Sequence, residues 1–95
     1  MLHILSNSPF KVDISAMFNM LSSEDGLIAL QDGVLIALNN NFFISDLFKY
    51  SKNIYVLQED VFIRGISDNV SNEIKLINYF EFVTLTEKYN KFINW

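Results

Sequence analysis

Ninety-five residues with a mass of 11.0 kDa, 51% of them hydrophobic, suffice for one compact core and exclude two independent cores, a repeat array or a long disordered arm. A net charge of -4, with seven scattered Lys and Arg, excludes a surface built to grip phosphates; the absence of cysteine excludes disulfides, thiolate metal sites and cysteine nucleophiles, and points to a reducing compartment. Mean hydropathy of +0.21 is high for a small soluble monomer, so part of the exterior is expected to be covered by another subunit.

Leu2 to Leu5 reads as a short strand, followed by the turn formers Ser6-Asn7-Ser8-Pro9, in which Ser8 caps a helix with Pro9 at its first position. From Asp13, apolar residues at Ile14, Met17, Phe18 and Leu21 build one helical face, and Glu24-Asp25-Gly26 stops it. Leu27-Ile28-Ala29-Leu30 lacks polar alternation, so this strand is expected to be covered on both faces, as in a parallel sheet between helices. Gln31-Asp32-Gly33 breaks the run, and Val34 to Leu38 follows as five apolar residues. Such a segment is either wholly internal or faces a partner, and in a chain of this size the second is the more economical reading.

Phe43, Ile44, Leu47 and Phe48 repeat the helical spacing up to Tyr50, and Ser51-Lys52-Asn53 is a turn. Ile54-Tyr55-Val56-Leu57 is a third strand, Gln58-Glu59-Asp60 follows it, and Val61 to Arg64 predicts a short helix closed by Gly65 in a left-handed cap. The polar stretch Ser67 to Glu73 reads as loop and Ile74 to Ile77 as a fourth strand. Asn78 caps a last helix through Lys88 with Tyr79, Phe82, Val83 and Thr86 on one stripe, and Phe92 to Trp95 closes the sequence.

Strands alternating with helices predict a single α/β domain over residues 1–95, a three-layer sandwich with a mostly parallel sheet of four or five strands. Sites in such sheets gather at the strands' carboxyl ends, here 6–10, 31–34, 58–64 and 78–80. His3 reads as a packed core residue before a general base. Asp32, Glu59 and Asp60 could share a proton or bind a divalent cation as a small ligand- or metal-binding enzyme, or simply cap loops. Arg64 is either an interface fork for a carboxylate or the counter-charge of an acid one turn away. Three glycines allow neither a dinucleotide fingerprint nor a P-loop. The aromatics, among them Phe42, Phe43, Phe48, Tyr79, Phe80, Phe82 and Phe92, are expected in the core, with an interface role for those off the helical stripe; Trp95 is either frayed or pinned into a pocket. No apolar run approaches a membrane span and no signal peptide precedes the first strand, so a soluble, cytoplasmic protein is expected.

Met1-Leu2-His3-Ile4-Leu5 with Ser8-Pro9-Phe10, Leu30-Gln31-Asp32-Gly33-Val34, Tyr55-Val56-Leu57-Gln58-Glu59-Asp60 with Arg64-Gly65, and Phe82-Val83-Thr84-Leu85-Thr86 with Trp95 together resemble the TusB/DsrH-like family of tRNA 2-thiouridine sulfur-relay subunits. The resemblance covers the whole chain and departs at Tyr89-Asn90, where relatives often carry His-Pro. It implies a DsrE-like α/β fold and a non-catalytic place in a heterohexamer, a dimer of heterotrimers with TusC-like and TusD-like subunits that hands persulfide sulfur to a TusE-like protein. It further implies that the sulfur-carrying cysteine lies on a partner; no cofactor is expected, and the acidic charge balance and the lack of a long apolar run lead to the expectation of no direct contact with nucleic acid or membrane. On this reading the interface candidates are Gln31, Asp32, Val34, Leu35, Ile36, Gln58, Glu59, Asp60, Arg64 and Trp95.

Overall fold

The computed structural model describes residues 1–41 and 43–95; the expectation for Phe42 falls outside the described residues. In chain order the elements are β1 (Leu2–Leu5), α1 (Ile14–Met20), β2 (Gly26–Ala29), a 3-10 helix (Gln31–Ala37), α2 (Phe43–Tyr50), β3 (Asn53–Leu57), α3 (Gln58–Ile63), a 3-10 turn (Ser67–Asn69), β4 (Lys75–Ile77), α4 (Tyr79–Glu87) and β5 (Phe92–Asn94). The five strands form one sheet in the order β4-β3-β2-β1-β5, and every pairing is parallel. The α/β sandwich and its parallel sheet are as the sequence predicts, with β5 supplying the fifth strand.

From β1 to β4 each strand is laid beside the one before, and the helices between them all cover one face. Leu5, Leu27, Ala29, Ile54 and Val56 point from the sheet into that layer, against Met17, Phe18, Val34, Ile36, Leu47 and Val61. The chain then reverses direction: α4 carries it back across the sheet so that β5 pairs with the far side of β1, with Leu2 opposite Phe92. Leu2, Ile28 and Ile77, one residue out of phase with the first set, face this second layer and pack against Leu85. One nine-residue helix therefore covers a face that needs four elements on the other side.

Local differences from the sequence reading have local causes. Helix α1 begins after Asp13, whose carboxylate accepts the Ala16 N–H at 3.0 Å, and not at Ser8-Pro9. The Ser8 hydroxyl accepts the Phe10 N–H instead and its carbonyl accepts the Lys11 N–H, closing a tight turn. Helix α3 starts at Gln58 with no loop after β3, and Gly65 closes it at φ +66°, as its position predicts. Asn78 caps α4 in a full capping box with Glu81. The buried stripe of α4 is not Tyr79, Phe82, Val83 and Thr86: Leu85 is its buried residue, flanked by half-buried Phe82 and Tyr89, while Tyr79 and Val83 lie on the outside. Tyr89 lies where a Cβ on Gly26 would strike its hydroxyl at 2.6 Å, so the turn after α4 is anchored by a ring seated on β2.

The Val34 to Leu38 segment corrects the partner-facing reading. Val34, Ile36 and Ala37 are fully buried within this chain, and only Leu35 and Leu38 reach the surface in part. The 3-10 helix lies so close to the end of β1 that a Cβ on Gly33 would overlap the Leu5 carbonyl, so the glycine admits the segment to the core. Val34 and Ile36 are core residues and not interface residues.

Candidate functional site

One group of sequence-predicted residues meets at the carboxyl edge of the sheet, and a second runs along β1. Asp32, exposed on the 3-10 helix, takes the Arg64 guanidinium at 2.9 Å, and Asp60 lies 3.7 Å from the same group one turn back along α3. The second Asp60 oxygen accepts the Gln31 N–H at 2.6 Å, anchoring a residue held at φ +51° in the left-handed region. Glu59 turns the other way and accepts the Tyr79 N–H at 3.1 Å, joining the head of α3 to the head of α4. Asp32 and Asp60 are thus brought together, by a cation, and Glu59 is not. Among the described residues no group of three His, Asp or Glu could hold a metal ion. Within this chain Arg64 pairs with Asp32 and, one turn away, with Asp60. Gln31, Asp32, Gln58 and Glu59 are exposed, while Leu35, Asp60 and Arg64 are half-buried.

The second group lies along β1 beside its pairing with β5, running from Asp25 at the head of β2 to Trp95 just past β5. Here Trp95 packs over His3. Its ring lies parallel to the fully buried His3 at 6.2 Å between centroids, and its Nε1–H donates to His3 Nδ1 at 3.1 Å. An indole N–H can only donate, so Nδ1 is the bare nitrogen and the imidazole proton sits on Nε2, donated to Asp25 at 3.0 Å. Burial acts to raise the Asp25 carboxyl, but the Ser22 N–H, His3 and the N-terminal ammonium outweigh it and hold its pKa at about 2, below the usual 3.8. Nearby, burial pushes the Tyr89 phenol up, with Tyr55 and Asp25 adding to the shift. The backbone completes the clasp, with Trp95 N–H on the Ile4 carbonyl and Ser6 N–H on the Trp95 carbonyl. Trp95 is therefore pinned, and His3 is a core residue whose two nitrogens are both engaged.

A third feature lies on the other layer. Helix α4 carries apolar residues on its outer as well as its inner side, and Phe80, 85% exposed, stands on the outside with Tyr79 and Val83. On the opposite side of the sheet, Phe62 and Ile63, more than three-quarters exposed, stand one turn beyond Glu59 on α3, and Leu76 is half-exposed on the edge strand β4. Between α4 and the sheet, Tyr55, Ile77, Phe80 and Lys88 line an open groove of about 290 Å³, with Lys75 over the Tyr55 ring. Tyr79 and Phe80 are the aromatics off the buried stripe. Phe62, Ile63, Leu76 and Val83 escape the sequence reading, although the runs Val61-Phe62-Ile63 and Phe80-x-Phe82-Val83 are too apolar for helices with a single buried face. No helix among the described residues is long and apolar enough to cross a membrane.

Comparison with known proteins places these features in a family. The family described as DsrH like protein matches residues 7–92. Proteins described as Protein TusB from Buchnera aphidicola subspecies Schizaphis graminum and Acyrthosiphon pisum are 50% and 46% identical, over 95 residues and the full length of both chains. Protein TusB of Escherichia coli strain K12 is 40% identical over the same span. The solution NMR structure of protein Tm0979 from Thermotoga maritima superposes with a TM-score of 0.68 at 28% identity, covering 98% of this chain and 99% of that one. A protein of unknown function from Methanobacterium thermoautotrophicum shares the fold at the same TM-score of 0.68 with 14% identity, covering 99% of this chain and 96% of that one.

Proposed function

The chain belongs to the DsrH-like family, and from that premise we propose that it is a cysteine-free accessory subunit of a sulfur relay serving tRNA 2-thiolation. The observation that carries the reading is the pairing of full-length likeness to TusB proteins with a sequence that contains no cysteine. In persulfide transfer a thiolate attacks the outer sulfur of a donor persulfide, the S–S bond breaks, and the donor leaves as thiolate. No residue here can be that nucleophile or hold the product. The sulfur therefore travels on a cysteine of a partner, and this chain contributes to assembly and to the shape of the site around it.

The structure supports an accessory reading over the small-enzyme alternative. His3 is engaged on both nitrogens by Trp95 and Asp25, Asp32 and Asp60 are spent on Arg64 and Gln31, and Glu59 caps α4. We place the chain with TusC-like and TusD-like subunits in a dimer of heterotrimers that passes sulfur to a TusE-like protein, in the cytoplasm and without direct contact with tRNA or membrane. Exposed Gln31, Asp32, Gln58 and Glu59, with half-buried Leu35, line the carboxyl edge available to those neighbours.

The test is native mass spectrometry of a tagged copy co-expressed with TusC-like and TusD-like chains. A stoichiometric complex of about six chains, with persulfide mass added only to a cysteine-bearing subunit, is expected. A lone folded monomer that joins neither chain refutes the reading.

A further inference from the structure

We propose that His3 and Trp95 form a proton-operated latch: the Trp95 indole N–H and a proton compete for the one free lone pair of His3, so that acidification releases Trp95 from β1 while the rest of the sheet stays folded. This device belongs to the chain alone and stands whether or not the subunit reading does.

The competition follows from counting donors and acceptors. His3 is fully buried and its Nε2–H is committed to Asp25 at 3.0 Å, which leaves Nδ1 as the only nitrogen that can take a second proton. Trp95 Nε1 lies 3.1 Å from that same atom, and an indole nitrogen can only donate. Once Nδ1 carries a hydrogen, two N–H groups face each other across that distance and one ring must leave. His3 is held in place, between Leu27 of β2 and Ile93 of β5, with its other nitrogen tied to a carboxylate. Trp95 is half-buried and lies past the end of β5, so it is the ring that gives way.

The surroundings accept the charge. Asp25 faces His3 from the head of β2 and, held at about 2, stays ionised throughout the range in which imidazoles titrate, so the imidazolium forms beside its counter-ion. The Met1 ammonium shares Asp25 at 3.2 Å, with Glu24, Lys88, Tyr89 and Lys91 around the same rim. Neither register partner of His3 is charged, and α1, which packs on this side of the sheet, has no charged residue. On α2, Asp46 and Lys49 are exposed and paired with each other.

Release reaches beyond one ring. The Trp95 N–H donates to the Ile4 carbonyl, and the Trp95 carbonyl accepts the Ser6 N–H and the Asn7 side-chain amide, so the same residue fixes the start of the loop after β1. Losing Trp95 loosens that loop at the carboxyl edge, and a proton taken up in the core is read out as a change of shape at the surface.

The experiment follows the full-length chain from about pH 8 to about pH 5. Trp95 is the only tryptophan, so its fluorescence reports the latch alone. Emission is expected to move to longer wavelength and to become more open to acrylamide quenching, reversibly, with unchanged far-ultraviolet dichroism and at the same midpoint as the His3 ring signals in NMR. Because the latched state binds one proton fewer than the released one, the stability advantage of wild type over Trp95→Phe should be largest at high pH and shrink through that midpoint. His3→Asn, whose amide oxygen accepts from the indole without titrating, should keep Trp95 in place and abolish the response; if it does not fold, the Trp95→Phe comparison decides. A His3 that titrates with no change at Trp95, a His3 that takes up no proton above about pH 5, or a loss of dichroism at the same midpoint as the emission change each overturns the latch.

Discussion

Replacing Trp95 by alanine tests the clasp between β1 and β5 directly. Truncating a fully buried tryptophan costs about 3 to 5 kcal/mol, and the half-buried ring here scales that to about 2. The change also strips His3 Nδ1 of its donor inside a ring that water does not reach, which adds about 1 to 2 kcal/mol. A loss of about 3 to 4 kcal/mol follows, a large share of the stability of a domain of this size and worth a fall in melting temperature of about 15 to 25 °C. Trp95→Phe keeps much of the packing and loses only the donor, so it should fall about midway. Urea unfolding followed by far-ultraviolet circular dichroism is the suitable assay, because Trp95 is the only tryptophan and its fluorescence disappears with it. A midpoint for Trp95→Ala within about 0.5 kcal/mol of wild type would show that the clasp does not hold the sheet together.

Asp25 titrates at about 2 in the folded chain against 3.8 in the unfolded one, so its contribution is fully present above about pH 4 and disappears as pH falls through 2; wild type should exceed Asp25→Asn by at most about 2 kcal/mol at pH 6, with the gap closing in acid-unfolding curves. Gly33→Ala and Gly65→Ala separate crowding from backbone strain: the first drives a methyl into the Leu5 carbonyl and should cost about 3 kcal/mol or prevent folding, whereas the second meets open space at φ +66° and should cost about 1 in the same urea assay. Asn78→Ala removes the capping box and should cost about 1 kcal/mol. Ile36→Asp should fail to fold because its side chain is fully buried, whereas Leu35→Asp, at the half-exposed neighbouring position, should fold with a native dichroism spectrum.

The sheet was legible because its signals are local. Leu2–Leu5 and the β3 region are short apolar runs bounded by turn formers, and Asn78 and Gly65 announce a helix start and a helix stop by their chemistry alone. The Val34 to Leu38 segment was ambiguous because composition states that a stretch must be covered, and not by what. Its cover turned out to be α2, α3 and the sheet, admitted by the close approach at Gly33, which is a three-dimensional fact. The α4 stripe failed for a related reason. A helix with apolar residues on its outer as well as its inner side carries a weak periodic signal, and the inner side was set by the long return from β4 to β5 across Leu2, Ile28 and Ile77. At the carboxyl edge the pairing could be read only once the fold had brought Arg64 to Asp32, 32 positions away. The fold class and family were therefore readable from the sequence, while the exposed apolar face was not.

The position of β1 has a consequence for the order of events in the cell. β1 is the first strand to leave the ribosome, yet one of its two neighbours is β5, and the His3 to Trp95 contact spans 92 positions. A nascent chain can lay down β1 to β4 in sequence, but one side of β1 keeps unpaired backbone groups until synthesis reaches Trp95. The sheet closes only after translation of these residues is complete, and the contact that closes it spans nearly the whole sequence. Until then the open edge of β1 is a template for mispairing, and a chain halted before residue 92 would carry that open edge for as long as it survives.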